Sequence, residues 1–165
     1  MKRPLRILGI DPGLNITGYG IIDVAGSRLL PVTYGHIRTS AKTDLPDRLL
    51  KISEAIKALL QEYKPDNVAV ENIFYADNVK TAIVMGHARG AILVAAKMAG
   101  ADVFEYAPRE VKMSVVGNGA ASKSQVKFMV SRLLSIKETI TPDDASDALA
   151  VALCQWHRQK LNLRG

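Results

Sequence analysis

The sequence has little of what would indicate an oxidising compartment or a membrane. Its one cysteine, Cys154, excludes an intramolecular disulfide and favours a reducing compartment. A histidine, an arginine and a lysine interrupt the apolar run over 82–98, so it does not have the composition of a membrane span. The start of the chain at 1–4 is too short and too polar to open a signal peptide. These absences predict a cytoplasmic protein without a membrane span.

The bulk composition predicts one globular domain with a polyanionic partner. Lys and Arg number 22 against 16 Asp and Glu, which gives a formal net charge of +6. Such an excess favours nucleic acid among possible partners. A chain of 165 residues is expected to form a single domain over 1–165. Folding would bury about 70% of the surface that the unfolded chain exposes.

An apolar stretch near the start, at 7–10, ends in a carboxylate, Asp11. An apolar run bounded by Pro-Gly predicts a buried central strand, and Pro12 holds the residue before it in extended geometry. The residues from Asp11 to Leu14 suit a type II turn with Gly13 at its third position. The sequence therefore places one carboxylate at the mouth of a sheet. Asp before Pro-Gly is also a common turn sequence, so this stretch alone leaves a purely structural role for Asp11 equally open.

The remaining periodicity predicts a mixed α/β sheet with helices on its faces. Two extended runs follow the first strand across short turns, so the first three strands should form an antiparallel meander. Later strands are joined through helices, which makes them parallel neighbours. Gly18 and Gly20 in the second strand predict the close approach of a backbone or a ligand. The later strands are predicted at 16–24, 28–39, 68–71 and 102–106, and the helices at 43–64, 78–98, 108–116, from Ser122 and from Thr141.

Local signals mark three of these helices. The helix at 43–64 has an apolar stripe at helical spacing, formed by Leu49, Ile52, Ile56, Leu59, Leu60 and Tyr63. Ser122 and Gln125 have the spacing of a capping box. Thr141 is a good N-cap, and Pro142 suits the first helical position after it.

Three further acids occupy places comparable to that of Asp11. Glu71 also ends a short apolar strand, and parallel strands hold ligands beyond their carboxyl ends. Asp144 and Asp147 are three residues apart and so point from one helix face. Asp144 also suits the helix dipole, whereas Asp147 lies beyond the first turn among apolar residues. A carboxylate on an apolar helix needs a partner, and a cation is the obvious one.

These acids together predict a metal site. Clustered carboxylates repel one another and raise one another's pKa unless a cation lies between them. The set of Asp11, Glu71, Asp144 and Asp147 offers only oxygen ligands, which suit Mg²⁺ or Mn²⁺ and not Zn²⁺. Two such ions about 3.5–4 Å apart can activate a water and stabilise the leaving oxygen in phosphodiester cleavage. A basic surface beside such a site would hold nucleic acid.

The aromatic and basic residues of the second half allow two interpretations. Phe74 and Tyr75 either seal the end of the next helix or stack on or wedge between bases. Lys112, Lys123 and Lys127 form either a solvated helix face with snorkelling side chains or a phosphate-binding surface. The structural interpretation is the commoner one in proteins generally, so these residues do not decide the function by themselves.

Five blocks of the sequence carry a family resemblance. They are Gly9-Ile10-Asp11-Pro12-Gly13, Val70-Glu71-Asn72, Lys112 with Val115-Val116-Gly117, Lys123-Ser124-Gln125-Val126, and Asp144-Ala145-Ser146-Asp147-Ala148-Leu149-Ala150. In this order they resemble the RuvC family of bacterial Holliday-junction resolvases, over about 6–157. The first block alone is weak, because ribonuclease H-like ATPases such as sugar kinases use a similar strand and turn. All the blocks together, in a chain this short, are highly specific.

The resemblance implies a ribonuclease H-like fold and a homodimer that nicks two opposed strands of a four-way DNA junction. Cleavage would use divalent metals, two Mg²⁺ or Mn²⁺ ions per site, and leave ends that a ligase can seal. The RuvA and RuvB branch-migration machinery is the implied protein partner. The implied metal ligands are Asp11, Glu71, Asp144 and Asp147, with Lys123 also in the catalytic set. Some family members have histidine in the place of Asp144.

The same resemblance, with the charge pattern, assigns candidate DNA contacts. They are Phe74, Tyr75, Lys80, Arg89, Lys112, Lys123 and Lys127. The helix at 78–98 is the candidate dimer contact, because its apolar residues lie on every side and one domain covers only one side. Ile83, Gly90 and Val94 fall on one side of it, opposite a second apolar side, and the sequence leaves open which of the two faces the core.

Two other classes of protein compete with a junction nuclease. A phosphate-binding ATPase or kinase lobe needs a second lobe and a second phosphate loop, for which 165 residues leave no room. A junction-binding module without catalysis gains nothing from clustering acids against a polyanion. Incubation with labelled junction DNA and Mg²⁺ separates all three.

Overall fold

The computed structural model describes residues 3–72 and 78–162. These residues form five strands and five helices, and their ends lie within a few residues of the predicted ones. The strands are β1 (Leu5–Asp11), β2 (Ile16–Ala25), β3 (Arg28–Arg38), β4 (Asn67–Glu71) and β5 (Asp102–Tyr106). The helices are α1 (Leu45–Tyr63), α2 (Val79–Met98), α3 (Pro108–Val116), α4 (Lys123–Leu133) and α5 (Asp143–Asn162).

The strands form one mixed sheet in the order β3-β2-β1-β4-β5. β1 pairs antiparallel with β2, and β2 with β3, which confirms the predicted meander. β1 pairs parallel with β4, and β4 with β5, as expected for strands joined through helices. The register sets Ile10 beside Val70, so the carboxyl ends of β1 and β4 meet at one edge of the sheet. The predicted five-stranded mixed architecture is therefore confirmed.

The two faces of the sheet carry separate cores. Side chains alternate along each strand, so Leu8 and Ile10 point to one face while Ile7 points to the other. The first face is covered by α1 and α2, and the stripe Ile52, Ile56 and Leu60 of α1 is buried there as predicted. The second face is covered mainly by α5, with α3 and α4 packed against that helix.

Three glycines let α5 lie almost directly on the strands. A Cβ at Gly9 would stand 2.1 Å from the carbonyl oxygen of Ala148, and one at Gly18 would stand 1.9 Å from that of Asp144. At Gly20 it would meet the side chain of Leu149 at 2.6 Å. The close approach predicted from Gly18 and Gly20 is therefore made by a helix backbone. It brings the first turn of α5 to the end of β1.

The turn after Asp11 is not the predicted type II turn. That turn needs a positive φ at Gly13, and Gly13 does not have one. Instead the Thr17 hydroxyl donates to the Gly13 carbonyl oxygen at 2.7 Å and accepts from the Gly13 N–H at 3.3 Å. A side chain at position 13 would collide with the carbonyl oxygen of Ile16 at 2.1 Å, which explains the glycine without a left-handed backbone.

The two helices that border the site begin as their sequences suggest, with one difference. Ser122 caps α4 through the predicted capping box, in which its side chain accepts from the Gln125 N–H and the Gln125 side chain accepts from the Ser122 N–H. α5 begins at Asp143, so Pro142 precedes the helix and does not occupy its first position. Thr141 therefore lies one residue too early to be the cap, in contrast to the prediction.

By length and composition alone, α2 could cross a membrane. A single such helix is weak evidence, because core helices of other proteins pass the same test. Here Ala88, Ile92 and Ala96 are buried against α1 and the sheet. Lys97 donates to the carbonyl oxygen of Ala101 at the turn that ends the helix. The helix therefore has a packing role within this fold.

Candidate metal centre

The sheet brings the two strand-terminal acids to the same face. Asp11 ends β1 and Glu71 ends β4, on neighbouring parallel strands. Each is an even number of residues from a side chain in the core beneath α5, namely Ile7 on β1 and Ala69 on β4. By the alternation of strands both carboxyls therefore point to the α5 side. The two carboxyl groups lie within hydrogen-bonding reach of one another.

The start of α5 adds the other two acids. Asp147 lines one cleft of about 240 Å³ together with Asp11 and Glu71. Asp144 lies around the rim, where it lines the adjoining cavity with Asn15 and Lys80. Its charge is still close enough to raise the pKa of Asp11. The predicted acids are thus assembled with Asp11, Glu71 and Asp147 in the cleft and Asp144 at its edge.

Burial and the charges of neighbouring acids raise the pKa values of Asp11, Glu71 and Asp147. Burial raises the pKa of the Asp11 carboxyl well above its usual range, and the charges of Glu71, Asp147 and Asp144 raise it further. Burial and the charge of Asp147 raise the pKa of Glu71 to about 7. Burial also raises the pKa of Asp147, although Lys123 opposes the shift. A cation bound among these acids would oppose all of these upward shifts.

Two lysines supply positive charge to the cleft. Lys123, near the start of α4, lies 3.4 Å from the Asp147 carboxylate, and the neighbouring acids raise its pKa. Lys112 on α3 lines the same cleft and lowers the pKa of Glu71. Both residues line the cleft that holds Asp11, Glu71 and Asp147. The arrangement brings partly buried carboxyl groups and two lysines together at one mouth.

The donor set suits a hard divalent cation. All four side chains offer carboxylate oxygens, which Mg²⁺ and Mn²⁺ prefer. Across 3–72 and 78–162, no three His, Cys, Asp or Glu side chains stand close enough together to form a ready coordination shell. The Asp147 carboxylate is turned toward Lys123, and Asp11 toward Glu71. Small side-chain rotations would therefore accompany ion binding.

The other predicted contact residues fall in different places. Lys80 lines the cavity beside Asp144, and Lys127 forms an ion pair with Asp143 at 2.7 Å. Arg89 lies outside the cleft and is paired with Glu105 of β5. Phe74 and Tyr75 lie outside the described residues, so their assignment as DNA contacts remains a prediction.

A buried polar network behind the site escaped the sequence analysis. Arg48 on α1 is only 9% exposed and donates to the Thr39 hydroxyl at 2.8 Å and to the Asn15 side-chain oxygen. Thr39 in turn donates to the carbonyl oxygen of Leu14. The network fixes the loop that follows Asp11. Its signal in the sequence is an arginine in register with the buried α1 stripe, four residues before Ile52.

Comparison with known proteins identifies the family of this chain. The sequence model of the family described as "Crossover junction endodeoxyribonuclease RuvC" matches residues 7–155. The RuvC crossover junction endodeoxyribonuclease of Syntrophomonas wolfei is 50% identical over 158 residues, covering 96% of this chain and 92% of the relative.

Two solved structures also share the fold of this chain. Thermus thermophilus RuvC in complex with Holliday junction substrate superposes with a TM-score of 0.91 at 33% identity, covering 96% of both chains. The yeast mitochondrial Holliday junction resolvase Ydc2, at 17% identity, shares the fold with a TM-score of 0.72. Enzymes of this family are nucleases of the ribonuclease H-like fold that generally depend on divalent metals. The chain belongs to the RuvC family of crossover junction endodeoxyribonucleases.

Proposed function

We propose that this protein resolves four-way DNA junctions in recombination and repair by paired, symmetric, metal-dependent phosphodiester cleavage that leaves ligatable nicks. The observation that carries the proposal is the cleft in which Asp11, Glu71 and Asp147 meet beside Lys112 and Lys123. Buried acids facing a polyanion are unfavourable for a pure binding protein, because they repel phosphate. They are what a metal-dependent nuclease requires.

Asp11, Glu71, Asp144 and Asp147 are the proposed ligands of two Mg²⁺ or Mn²⁺ ions. Such ions supply a water nucleophile at neutral pH and charge stabilisation of the attacking and leaving oxygens. The carboxyls of Asp11 and Glu71 must lose their shared proton before both can act as ligands, which links activity to a pH near or above 7. Lys123 then leaves Asp147 and is free to hold the scissile phosphate.

The proposed DNA contacts extend outward from this centre. Lys112 and Lys123 line the cleft itself, while Lys80 and Lys127 line the cavities on either side of it. Their positions form a basic rim around the acids, which suits a phosphate backbone crossing the site. Arg89 is expected to contribute less to DNA binding, because its charge is already paired with that of Glu105. Phe74 and Tyr75 are proposed to insert at the junction.

Cutting labelled junction DNA in Mg²⁺ is the direct test. We expect symmetric nicks in opposed strands of the junction, no cutting of linear duplex of the same sequence, and no cutting in EDTA. Ligation of the products checks that the ends can be sealed. Binding to junction DNA without any cutting in Mg²⁺ or Mn²⁺ would favour the binding-module alternative. Hydrolysis of ATP without effect on DNA would favour the ATPase alternative.

A homodimer is proposed because paired cuts need two sites and each chain has one. Of the two apolar sides of α2, the side that bears Ala88, Ile92, Ala95 and Ala96 faces the core. The opposite side bears apolar residues that are largely exposed: Val79 (76%), Ile83 (55%), Val94 (59%) and Met98 (85%). Gly86 and Gly90 lie among them, and a Cβ at either would meet nothing within 4 Å. A second copy of α2 could therefore approach closely, which favours a twofold interface at this surface.

Sedimentation at micromolar concentration tests the dimer. We expect a dimer for the wild type and a shift toward monomer for Ile83→Asp together with Val94→Asp. The matched control places aspartate at Lys51 and Lys57 on the exposed side of α1. A wild-type monomer, with and without junction DNA, would contradict the proposal. Cooperation with RuvA and RuvB in the cytoplasm is also proposed, and pull-down of either protein by the wild type is its test.

A further inference from the structure

A polar seam joins α4 to α5 next to the metal centre. Lys123 and Lys127 are one turn apart on α4, and Asp147 and Asp143 are one turn apart on α5. The helices pair these residues in two rungs, Lys123 with Asp147 at 3.4 Å and Lys127 with Asp143 at 2.7 Å. The first rung belongs to the cleft already described. The second rung has no part in the proposed chemistry.

A cavity of about 300 Å³ lies along this seam and carries an unused hydrogen-bonding group. Ser146 lines the cavity and is 1% exposed, and its hydroxyl has no partner among the residues that the structure describes. Ser124 lines the same wall, and its hydroxyl lies 3.0 Å from that of Ser122; when Ser122 donates in this pair, the Ser124 proton is left for a ligand. A buried hydroxyl without a partner is unfavourable, and a water or a ligand oxygen in this polar cavity would satisfy it.

We propose that Lys127, Ser124 and Ser146 form a subsite for the DNA backbone phosphate next to the one that is cut, and that Asp143 occupies the place of this phosphate in the free protein. The inference rests on the proposed junction nuclease function. It adds a second phosphate position to that function, and a carboxylate that competes with DNA for it. Binding exchanges one anion for another at Lys127.

The exposure of the two partners favours this exchange. The Asp143 side chain is 65% exposed and can turn into solvent, whereas the Lys127 side chain is only 29% exposed and stays at the cavity. An ion pair with so exposed a partner adds little to stability, so little is lost when Asp143 leaves. The lysine then gains a phosphate that the neighbouring cleft holds in place.

The spacing of the lysines agrees with the spacing of a DNA strand. Residues four apart on a helix are separated by about 6 Å along its axis. Lys123 and Lys127 therefore present two cations one helical turn apart, close enough to face two neighbouring phosphates of one strand. With Lys123 on the scissile phosphate, Lys127 is in register for its neighbour. The two serines supply donors between them.

The test compares Lys127→Gln, Asp143→Asn and Ser146→Ala with wild type in binding to labelled junction DNA in EDTA over a range of salt. For Lys127→Gln we expect weaker binding and a salt slope smaller by about one. For Asp143→Asn we expect binding several-fold tighter, and this gain should vanish in the Lys127→Gln background. Ser146→Ala should weaken binding without lowering thermal stability. Lys57→Gln, on the far side of the sheet, is the matched control and should change nothing.

Junctions with a single uncharged methylphosphonate locate the contact. One substitution beside the cut should weaken wild-type binding and leave Lys127→Gln unaffected. If Lys127→Gln lowers stability but leaves binding and salt slope unchanged, the rung is an ordinary ion pair and the subsite is overturned. An equal gain from Asp143→Asn in both backgrounds would overturn the exchange. A wild type that neither binds nor cuts junctions fails the proposed function itself, which is a different result.

Discussion

The two faces of the sheet differ in how closely their helices approach the strands. The face beneath α1 and α2 is filled by branched side chains such as Ile10, Ile52 and Ile56, which are fully buried. On the face beneath α5, the strands have glycines where the helix crosses, and acids where the strands end. A face built from bulky residues keeps its helices at side-chain distance. Glycines on the other face instead let the backbone of α5 lie close to the strands, which brings the carboxylates of that helix to the strand ends.

The contrast explains why the chemistry lies on one face only. Alternation along β1 sends Ile10 to the α1 face and Asp11 to the α5 face, one residue apart. The α1 face therefore stabilises the strand whose next residue forms the metal centre. The predictions below test this division with paired substitutions, one on each face, in order of decreasing expected effect.

The largest effect is expected from removing a charge at the centre. Asp11→Asn should lower the rate of junction cleavage about a thousandfold or more, because losing a metal ligand removes several kcal/mol of transition-state stabilisation. Junction binding should survive or tighten, since a charge that repels phosphate is gone. Asp47→Asn, on exposed α1, is the matched change and should leave both unchanged. Cleavage by Asp11→Asn at the wild-type rate in Mg²⁺ would contradict the assignment of Asp11 as a metal ligand.

A single methyl group should act very differently on the two faces. Gly9→Ala places a carbon 2.1 Å from the Ala148 carbonyl oxygen and 2.6 Å from the Ala152 N–H nitrogen, so α5 must shift. We expect a loss of about 3 kcal/mol in the free energy of unfolding, with weaker Mn²⁺ binding by the molecules that fold. Ile56→Val on α1 removes one methyl and should lose about 1 kcal/mol with unchanged Mn²⁺ affinity. Equal effects of the two variants would contradict the division.

The faces also differ in how far the sequence predicts them. The helix stripes, the capping box at Ser122 and the acids at strand ends follow from local periodicity, and each was predicted correctly. The sequence also placed Asp144 and Asp147 on one helix face. These features depend on neighbours within one or two turns, which a pattern of residues records directly.

What the sequence could not provide depends on contacts between distant segments. The pattern at Gly13 suited a left-handed turn residue, yet a collision with the Ile16 carbonyl oxygen is what requires the glycine. The pairing of Lys123 with Asp147, and the place of Asp144 at the rim, depend on how α5 crosses the sheet. Arg48 looked like an ordinary helix residue until its partners in the loop after β1 were known.

The protonation of the centre should make metal-free stability depend on pH. Folding raises the pKa of Glu71 from its usual 4.5 to about 7, so its contribution is fully present below pH 4.5 and is lost as the pH rises through 7. In EDTA at pH 8, Glu71→Gln should therefore be more stable than wild type by about 3 kcal/mol, since the pKa rises by about 2.5 and each pKa unit corresponds to about 1.4 kcal/mol. The gap should close near pH 4.5.

Thermal or urea unfolding between pH 4.5 and pH 8.5 checks this expectation. Glu54→Gln, an exposed acid on α1, should follow the wild-type curve throughout. Added Mg²⁺ should reverse the order at pH 8, because only the wild type retains the full set of ligands. A Glu71→Gln protein no more stable than wild type at pH 8 in EDTA would show that the acids are not confined as the geometry indicates.

Arg48 gives the smallest and most specific test, because it is the polar residue of the α1 face that reaches across to the site. Its guanidinium donates to the Asn15 side chain, in the loop just beyond Asp11, and to the Thr39 hydroxyl. Thr39 in turn donates to the carbonyl oxygen of Leu14 in the same loop. Arg48→Met keeps the apolar stem but leaves the Asn15 oxygen without its donor. We expect a loss of about 1–2 kcal/mol in the free energy of unfolding. Lys51→Met, exposed three residues further along α1, should be neutral.

The division of the sheet predicts more than instability for this variant. A loosened loop after β1 should weaken Mn²⁺ binding, because Asp11 is the residue from which that loop departs. Titration of Mn²⁺ at a temperature where the variant is fully folded separates this effect from unfolding. If Mn²⁺ affinity is unchanged while stability falls, Arg48 supports only the fold and the α1 face has no direct influence on the site. If both change, the buried network couples the packed face to the metal centre.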